Sequence, residues 1–547
     1  MGFNLHADND DPPQVRNWRV HLMALIVSMG AIAMGYDTSV IGGTMALDSF
    51  KQDFGLSDVS SHARDTLQGN IVSTFQAGTF FGALLTFPLG ERYGRKKALM
   101  LAILIFLAGG SLMTGASGRL GLIYTGRAIA GFGIGSVSLL VPVYIAETSP
   151  ASIRGRLIGI FEICSQGGGM AGFWVNYICD RTIPDVAAQW QVPLGLQLLP
   201  GVLLLFGILW CPETPRWYAK QDRWDEARRI LTEIRHLPAD HPFIQQELQD
   251  IQDQIQIAAP PPGERHTFKY YARRMWQKGT RNRIGIGLLL MAFQNLTGVN
   301  IITYYSPRIF ETLGLTGTST KLFATGFYGI AKTLGMIIFS VWLVEKFGRR
   351  QGLIWGAFVG SLPMWYVHMP FRAFESCLTN ANRYLGGYVF KADPTAAAAR
   401  GESGRDGWGY LAMVCVYLYG LIYCATWQGI TWVICSEIFP IDIRMVCVAI
   451  TTADQWLWSF IISRTTPYMI TSLGYGTYMF FATLMVLMGF WAWFCIPETK
   501  GKSLEEMDAI FGAPSVVGVG VGSKDDFDAQ EDLEKAKSGM TTHVEKV

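Results

Sequence analysis

Apolar runs of about 20 residues alternate along the chain with short charged turns, and a helix of that length crosses the hydrocarbon core of a bilayer. The runs fall at 20–42, 68–90, 97–117, 120–145, 155–178, 190–211, 285–306, 322–345, 351–370, 408–436, 446–470 and 475–496. They predict twelve transmembrane helices, six on each side of a polar stretch at 213–283 that contains Pro260, Pro261 and Pro262. Inside that stretch, Trp224 to Arg235 and Phe243 to Ile257 carry apolar residues at helical spacing, which predicts short surface helices. The expected architecture is an all-α membrane protein. A segment at 1–18 leads into a six-helix bundle over 19–212, a linker over 213–283, a second bundle over 284–498 and a tail over 499–547. The tail is acidic, Gly-rich and polar, and is expected to be largely disordered.

Short-loop cations set the orientation of a membrane chain. Arg92, Arg95, Lys96 and Lys97 follow the second run, and Lys346, Arg349 and Arg350 follow the eighth, whereas 43–67 leans acidic. Both termini and the linker are therefore expected in the cytoplasm, with the charge-balanced 372–406 loop outside. Residues 1–16 are polar and acidic, unlike a cleaved signal peptide.

Composition agrees with burial in lipid. Of 547 residues, 50% are hydrophobic and only 16% charged, against about 25% charged in soluble domains. The chain holds 60 Gly, 17 Trp and 32 Phe, the residue types enriched in and around membrane helices. A net charge of +2 argues against nucleic acid as a partner. Nine cysteines without CxxC spacing argue against a zinc site, and no cofactor or metal is expected. Cys179 and Cys377 are placed in outward loops, where they are able to pair. No Walker loop, HExxH or GxSxG is present, so an enzyme is not expected.

The two halves repeat one another. Glu91-Arg92-Tyr93-Gly94-Arg95-Lys96 answers Glu345-Lys346-Phe347-Gly348-Arg349-Arg350. Glu147 with Arg154 answers Glu437 with Arg444, and Pro212-Glu213-Thr214-Pro215-Arg216 answers Pro497-Glu498-Thr499-Lys500. Internal duplication of this kind is how many secondary transporters are built.

These motifs, with Gly126-Arg127, Gly131, Gly133 and Gly135, Pro215-Arg216-Trp217 and Pro497-Glu498-Thr499-Lys500-Gly501, resemble the sugar porter family of the major facilitator superfamily over about 17–512. Asn70-Ile71-Val72-Ser73, Gln76-Ala77-Gly78, Gly172-Phe173-Trp174 with Asn176-Tyr177, and Ile461-Ile462-Ser463-Arg464 look closest to the fungal quinate permease branch. The resemblance implies two six-helix bundles that alternate access around a central site, working as a monomer in the plasma membrane.

An ionisable group inside a span marks an ion or substrate path by default. Asp37 on the first span and Arg127 on the fourth are the minimum equipment for proton coupling: the protonated acid releases the cation and the ionised acid holds it. The resemblance places a coupling pair at the same two positions. The other reading leaves Asp37 solvated near the outer surface as a helix cap. A polyhydroxylated cargo needs groups that both donate and accept, above an aromatic face. On the seventh span Gln294, Asn295, Asn300 and Tyr304 are expected to face one cavity, and the resemblance makes the first three cargo ligands. It adds Trp432 as a stacking aromatic, Gln455 and Trp456 as a polar–aromatic pair, and Gln166 one turn beyond Glu162.

Glu162 and Lys332 depart from the family pattern, which has Gln and Asn there, and Asp454 stands beside Gln455. Three readings stay open for Lys332: an ion pair with Glu162, a seat for a cargo carboxylate, or a side chain snorkelling to a surface. At the basic end, Arg92, Arg95, Glu147, Arg154, Glu213 and Arg216 on one half and Glu345, Arg349, Arg350, Glu437, Arg444 and Glu498 on the other are expected to pair between halves as a gate. Glu91 and Phe87 replace a common Asp and Gly of that turn. The functional expectation is a proton-coupled hexose or pentose symporter; the alternatives are a carrier of quinate or a sugar acid such as galacturonate, and a non-transporting nutrient sensor.

Overall fold

The computed structural model describes residues 12–57, 59–260, 267–313, 315–343, 348–368, 407–440, 442–474, 476–499 and 511. Glu345, Cys377, the 372–406 loop and nearly all of the tail therefore lie outside the described residues.

The first half is built from Trp18–Thr44, Ser61–Tyr93, Arg95–Thr114, Leu120–Thr148, Arg154–Thr182 and Ala188–Trp210. The second is built from Thr280–Thr312, Thr318–Leu343, Arg349–His368, Gly407–Glu437, Arg444–Leu473 and Gly476–Cys495. Among the described residues, ten helices are long and apolar enough to cross a membrane. Arg154–Thr182 and Arg349–His368 complete the twelve. Their length suffices, at 29 and 20 residues, but the fifth span carries Arg154, Arg156, Glu162, Asp180 and Arg181, which lowers its hydropathy. Arg154, Arg156 and Arg181 lie exposed near its two ends, and Glu162 is buried in a helix that packs against the first and eighth spans.

Small residues let these helices approach closely. A side chain at Gly78 or Gly82 of the second span would meet the backbone of Ala128 or Phe132, and one at Gly131 or Gly135 would meet that of Phe75 or Thr79. The second and fourth spans are thus packed backbone to backbone, as close interhelical packing in lipid requires. Three of the later spans are irregular. The seventh is broken at Gly298 (φ 91°) between Thr280–Leu296 and Val299–Thr312, and Tyr305 inside the second piece is again non-helical. The eighth and tenth each contain a wide π-turn, at Phe339–Leu343 and Cys424–Gln428. Such interruptions recur at functional sites.

Between the halves lie the short helices Pro215–Lys220, Trp224–Arg235, Pro242–Ala258 and Phe268–Met275. They are tied down at both sides. The buried Arg235 donates to the Thr148 carbonyl at 2.8 Å and to both carboxylate oxygens of Glu247. Arg274 pairs with Asp442 at 2.6 Å, between the tenth and eleventh spans, while Tyr271 packs on Phe87 of the second.

One placement made from sequence is corrected here. Cys179 is not in a loop: the fifth helix continues to Thr182 and buries the thiol, which is free.

Candidate functional site

A cavity of about 100 Å³ opens between the two halves. The expected cargo ligands Glu162, Gln166, Asn295, Asn300, Tyr304, Lys332, Trp432, Gln455 and Trp456 line it. Asn300 donates to the Asn295 side-chain oxygen at 2.6 Å and to Ser459 at 3.3 Å. Asn295 in turn donates to the Gln455 and Met291 carbonyls. The break at Gly298 is what brings residues five apart, on two helical pieces, into contact. Trp456 donates to Ser138 across the halves at 3.2 Å and meets Phe75 edge-on.

Gln294 is the exception. It is buried against the tenth span, donating to the Gln428 carbonyl at 3.1 Å. The amide satisfies a carbonyl exposed where the π-turn ends, and it supports the cavity from behind. Sequence reasoning did not single out Thr38, Ser138, Phe161, Thr303, Tyr423 or Gln428, which also line the cavity. Two of these left a trace: Thr38 follows Asp37, and Gln428 precedes Gly429 in an otherwise apolar span.

Asp37 and Arg127 are fully buried and joined as an ion pair. The solvated-cap reading of Asp37 is therefore wrong. Arg127 also donates to the Ile71 carbonyl at 3.2 Å and sits 4.4 Å above the Phe75 ring. One carboxylate oxygen of Asp37 and one terminal nitrogen of Arg127 remain without hydrogen-bond partners. Tyr304 lines the cavity within electrostatic reach of both charges, so pair and cavity are neighbours.

Glu162 and Lys332 form no ion pair with each other. Lys332 does not snorkel either: its ammonium faces the cavity, 3.4 Å from the Thr303 hydroxyl and 5.7 Å from the Tyr328 ring centroid. Glu162 lies beside the Gln428 side chain in the lining. Asp454 is not part of the lining, and one of its oxygens is buried without a partner.

At the basic end, the ion pairs close within each half rather than between halves. Arg95 contacts Glu91 at 2.7 Å and Glu147 at 3.0 Å, and Arg349 contacts Glu437 at 3.2 Å. Glu213 accepts from the backbone N–H of Arg95 at 2.9 Å, and Glu498 from that of Arg349 at 2.8 Å. Thr214 donates to Glu147, and Thr499 to Glu437. The Gly94 and Gly348 turns are the matching points, because a Cβ on either would strike the carboxylate of Glu213 or Glu498. Burial pushes the Glu213 carboxyl up, and the backbone N–H groups of Thr214, Lys96 and Arg95 pull it back. Arg350 donates its backbone N–H to Glu498. Arg92 is exposed over its neighbour Tyr93. Arg216 bonds Gln254, and Arg444, which donates to the Phe439 carbonyl at 3.2 Å, lies within electrostatic reach of Arg154 and Arg216. The arginines of both halves approach one another, while the ion pairs of Arg95 and Arg349 with Glu147 and Glu437 stay within their own halves.

The reason lies at the opposite end, which is shut. Asp65 of the second span pairs with Arg308 of the seventh at 2.6 Å and accepts from Thr471 of the eleventh. Thr66 bonds Tyr468 at 2.9 Å, and Ser319 donates to Asp180. A Cβ on Gly42 would press into the Tyr304 carbonyl. In a carrier whose halves rock about a central site, contacts that shut one end leave the other end free to open.

Residues 23–511 match the family described as sugar (and other) transporter. A quinate permease of Emericella nidulans is 39% identical over 509 residues, covering 93% of this chain and 91% of its own. A probable quinate permease of Aspergillus flavus is 40% identical over 511 residues, with the same two coverages. Among solved structures, the proton:xylose symporter XylE bound to 6-bromo-6-deoxy-D-glucose has a TM-score of 0.71 at 26% identity, over 90% of this chain and 99% of that one. The inward-open form of XylE from E. coli has a TM-score of 0.66 at 25% identity, over 90% and 99%.

Proposed function

This chain belongs to the sugar transporter family, and on that premise we propose that it imports a monosaccharide, a hexose or pentose, with a proton across the plasma membrane. The supporting observation is the cavity itself: two asparagines, three glutamines and two tryptophans surround it, with a buried Asp37–Arg127 pair beside it. Cargo hydroxyls exchange hydrogen bonds with the amides while an indole covers the ring face. Asp37 is loaded with a proton from outside, and its release of Arg127 frees the first and fourth spans to move relative to one another. The halves then rock, so the Asp65–Arg308 end and the basic end open in turn. Both termini and the basic end face the cytoplasm, and the monomer is the working unit.

A second reading is favoured by Lys332. An ammonium facing the cavity, with no ion pair among the described residues, is suited to a carboxylate, so the cargo is then a hydroxylated acid such as quinate or galacturonate. The relatives named as quinate permeases support it.

The test is uptake of labelled glucose, xylose, galacturonate and quinate by cells lacking their own carriers, with and without an uncoupler. Saturable uptake that the uncoupler abolishes is expected. Uptake indifferent to the uncoupler removes the coupling, and uptake of the acids alone selects the second reading.

A further inference from the structure

Glu162 and Lys332 reach the same cavity from the fifth and eighth spans, one from each half, without pairing. Their immediate neighbours are neutral: the Thr303 hydroxyl and the Tyr328 ring for Lys332, the Gln428 side chain for Glu162. The other titratable groups nearby are few. Tyr304 and Tyr423 line the cavity, Cys424 stands within electrostatic reach of both charges, and the Asp37–Arg127 pair on the first and fourth spans adds no net charge while Asp37 is ionised.

The formal charge of the lining thus depends on Glu162. Ionised, it offsets Lys332 and the lining sums to zero. An arriving carboxylate would then leave one negative charge uncompensated between largely buried walls, which is unfavourable. Carrying a proton, Glu162 leaves Lys332 as the single net charge, and a cargo carboxylate completes the neutral set. Glu162 also becomes a donor, able to bond a cargo hydroxyl.

We infer that Glu162 takes up a proton when a carboxylate cargo seats on Lys332, so that acid binding is proton-linked at the cavity itself, separately from Asp37. This rests on the second reading of the cargo. A neutral sugar brings no charge and has no need of that proton.

The experiment is calorimetric titration of the full chain in lipid nanodiscs, in two buffers of different ionisation enthalpy, with quinate, galacturonate and glucose as probes. Wild type is expected to take up about one proton per acid bound, with Kd weakening about tenfold per pH unit above the titration of Glu162, as linkage requires. Glucose is expected to bind without that uptake. In Glu162→Gln the acids bind with no proton uptake and a flat pH profile, whereas Glu162→Asp keeps the uptake. Lys332→Asn shifts the acid-to-glucose affinity ratio at least about tenfold toward glucose. Proton uptake that survives Glu162→Gln, that disappears in Glu162→Asp while the acid still binds, or that is lost instead in Asp37→Asn overturns the inference. Failure of wild type to bind either acid while it binds glucose defeats the cargo reading underneath.

Discussion

Asn300 and Asn295 hold one another at 2.6 Å before any cargo arrives, so the cavity presents a fixed pattern of donors and acceptors. Preorganisation of this kind lowers the entropy lost on binding. Asn300→Ala is expected to raise the KM for cargo about tenfold, the equivalent of losing one or two hydrogen bonds, with little change in maximal rate. An unchanged KM would remove Asn300 from the site. Asp37→Asn tests a different step. The neutral amide mimics the proton-loaded acid permanently, so uphill uptake is expected to vanish while equilibrium exchange of labelled cargo across proteoliposomes continues. Uphill uptake at the wild-type rate would relocate the coupling.

The helices carry their own devices. Gly42 on the first span lets the Tyr304 region of the broken seventh span close over the cavity. Gly42→Ala is expected to hinder closure at that end: cargo binding is retained in a direct binding assay, and uptake falls by about tenfold or more. Unimpaired uptake would show that the seventh span yields easily. Gly94 and Gly348 act at the other end, in matching turns with φ 97° at Gly94. Gly94→Ala must push the Glu213 carboxylate off the start of the third span while straining the backbone, and is expected to cost about 1–3 kcal/mol. A lowered Tm of the purified chain checks it.

For the molecule as a whole, one end is shut by Asp65–Arg308 while the basic end has its ion pairs folded back into each half. When the basic end closes, Arg154 and Arg444 have the acids of the opposite half, Glu437 and Glu147, as available partners. Glu437→Arg alone is therefore expected to reduce uptake, and Arg154→Glu in the same chain to restore part of it. Absence of rescue would mean that the two residues never meet. Two-state bias of this sort needs only differential contacts in the two arrangements.

Span count, duplication and the buried Asp37–Arg127 pair were all legible in the order of residues. Bilayer thickness fixes helix length, and a charge inside lipid must have a partner. Facing was not legible where a helix breaks. Gln294 and Asn295 are adjacent letters on one helical piece, yet Gln294 meets the backbone where the tenth span's π-turn ends, while Asn295 lines the cavity beside Asn300. Nor did charge spacing reveal which acids meet which cations: Arg95 and Arg349 close on Glu147 and Glu437 of their own halves. Periodicity along one helix sets what that helix needs to bury. Only the packing of two halves decides which neighbour buries it.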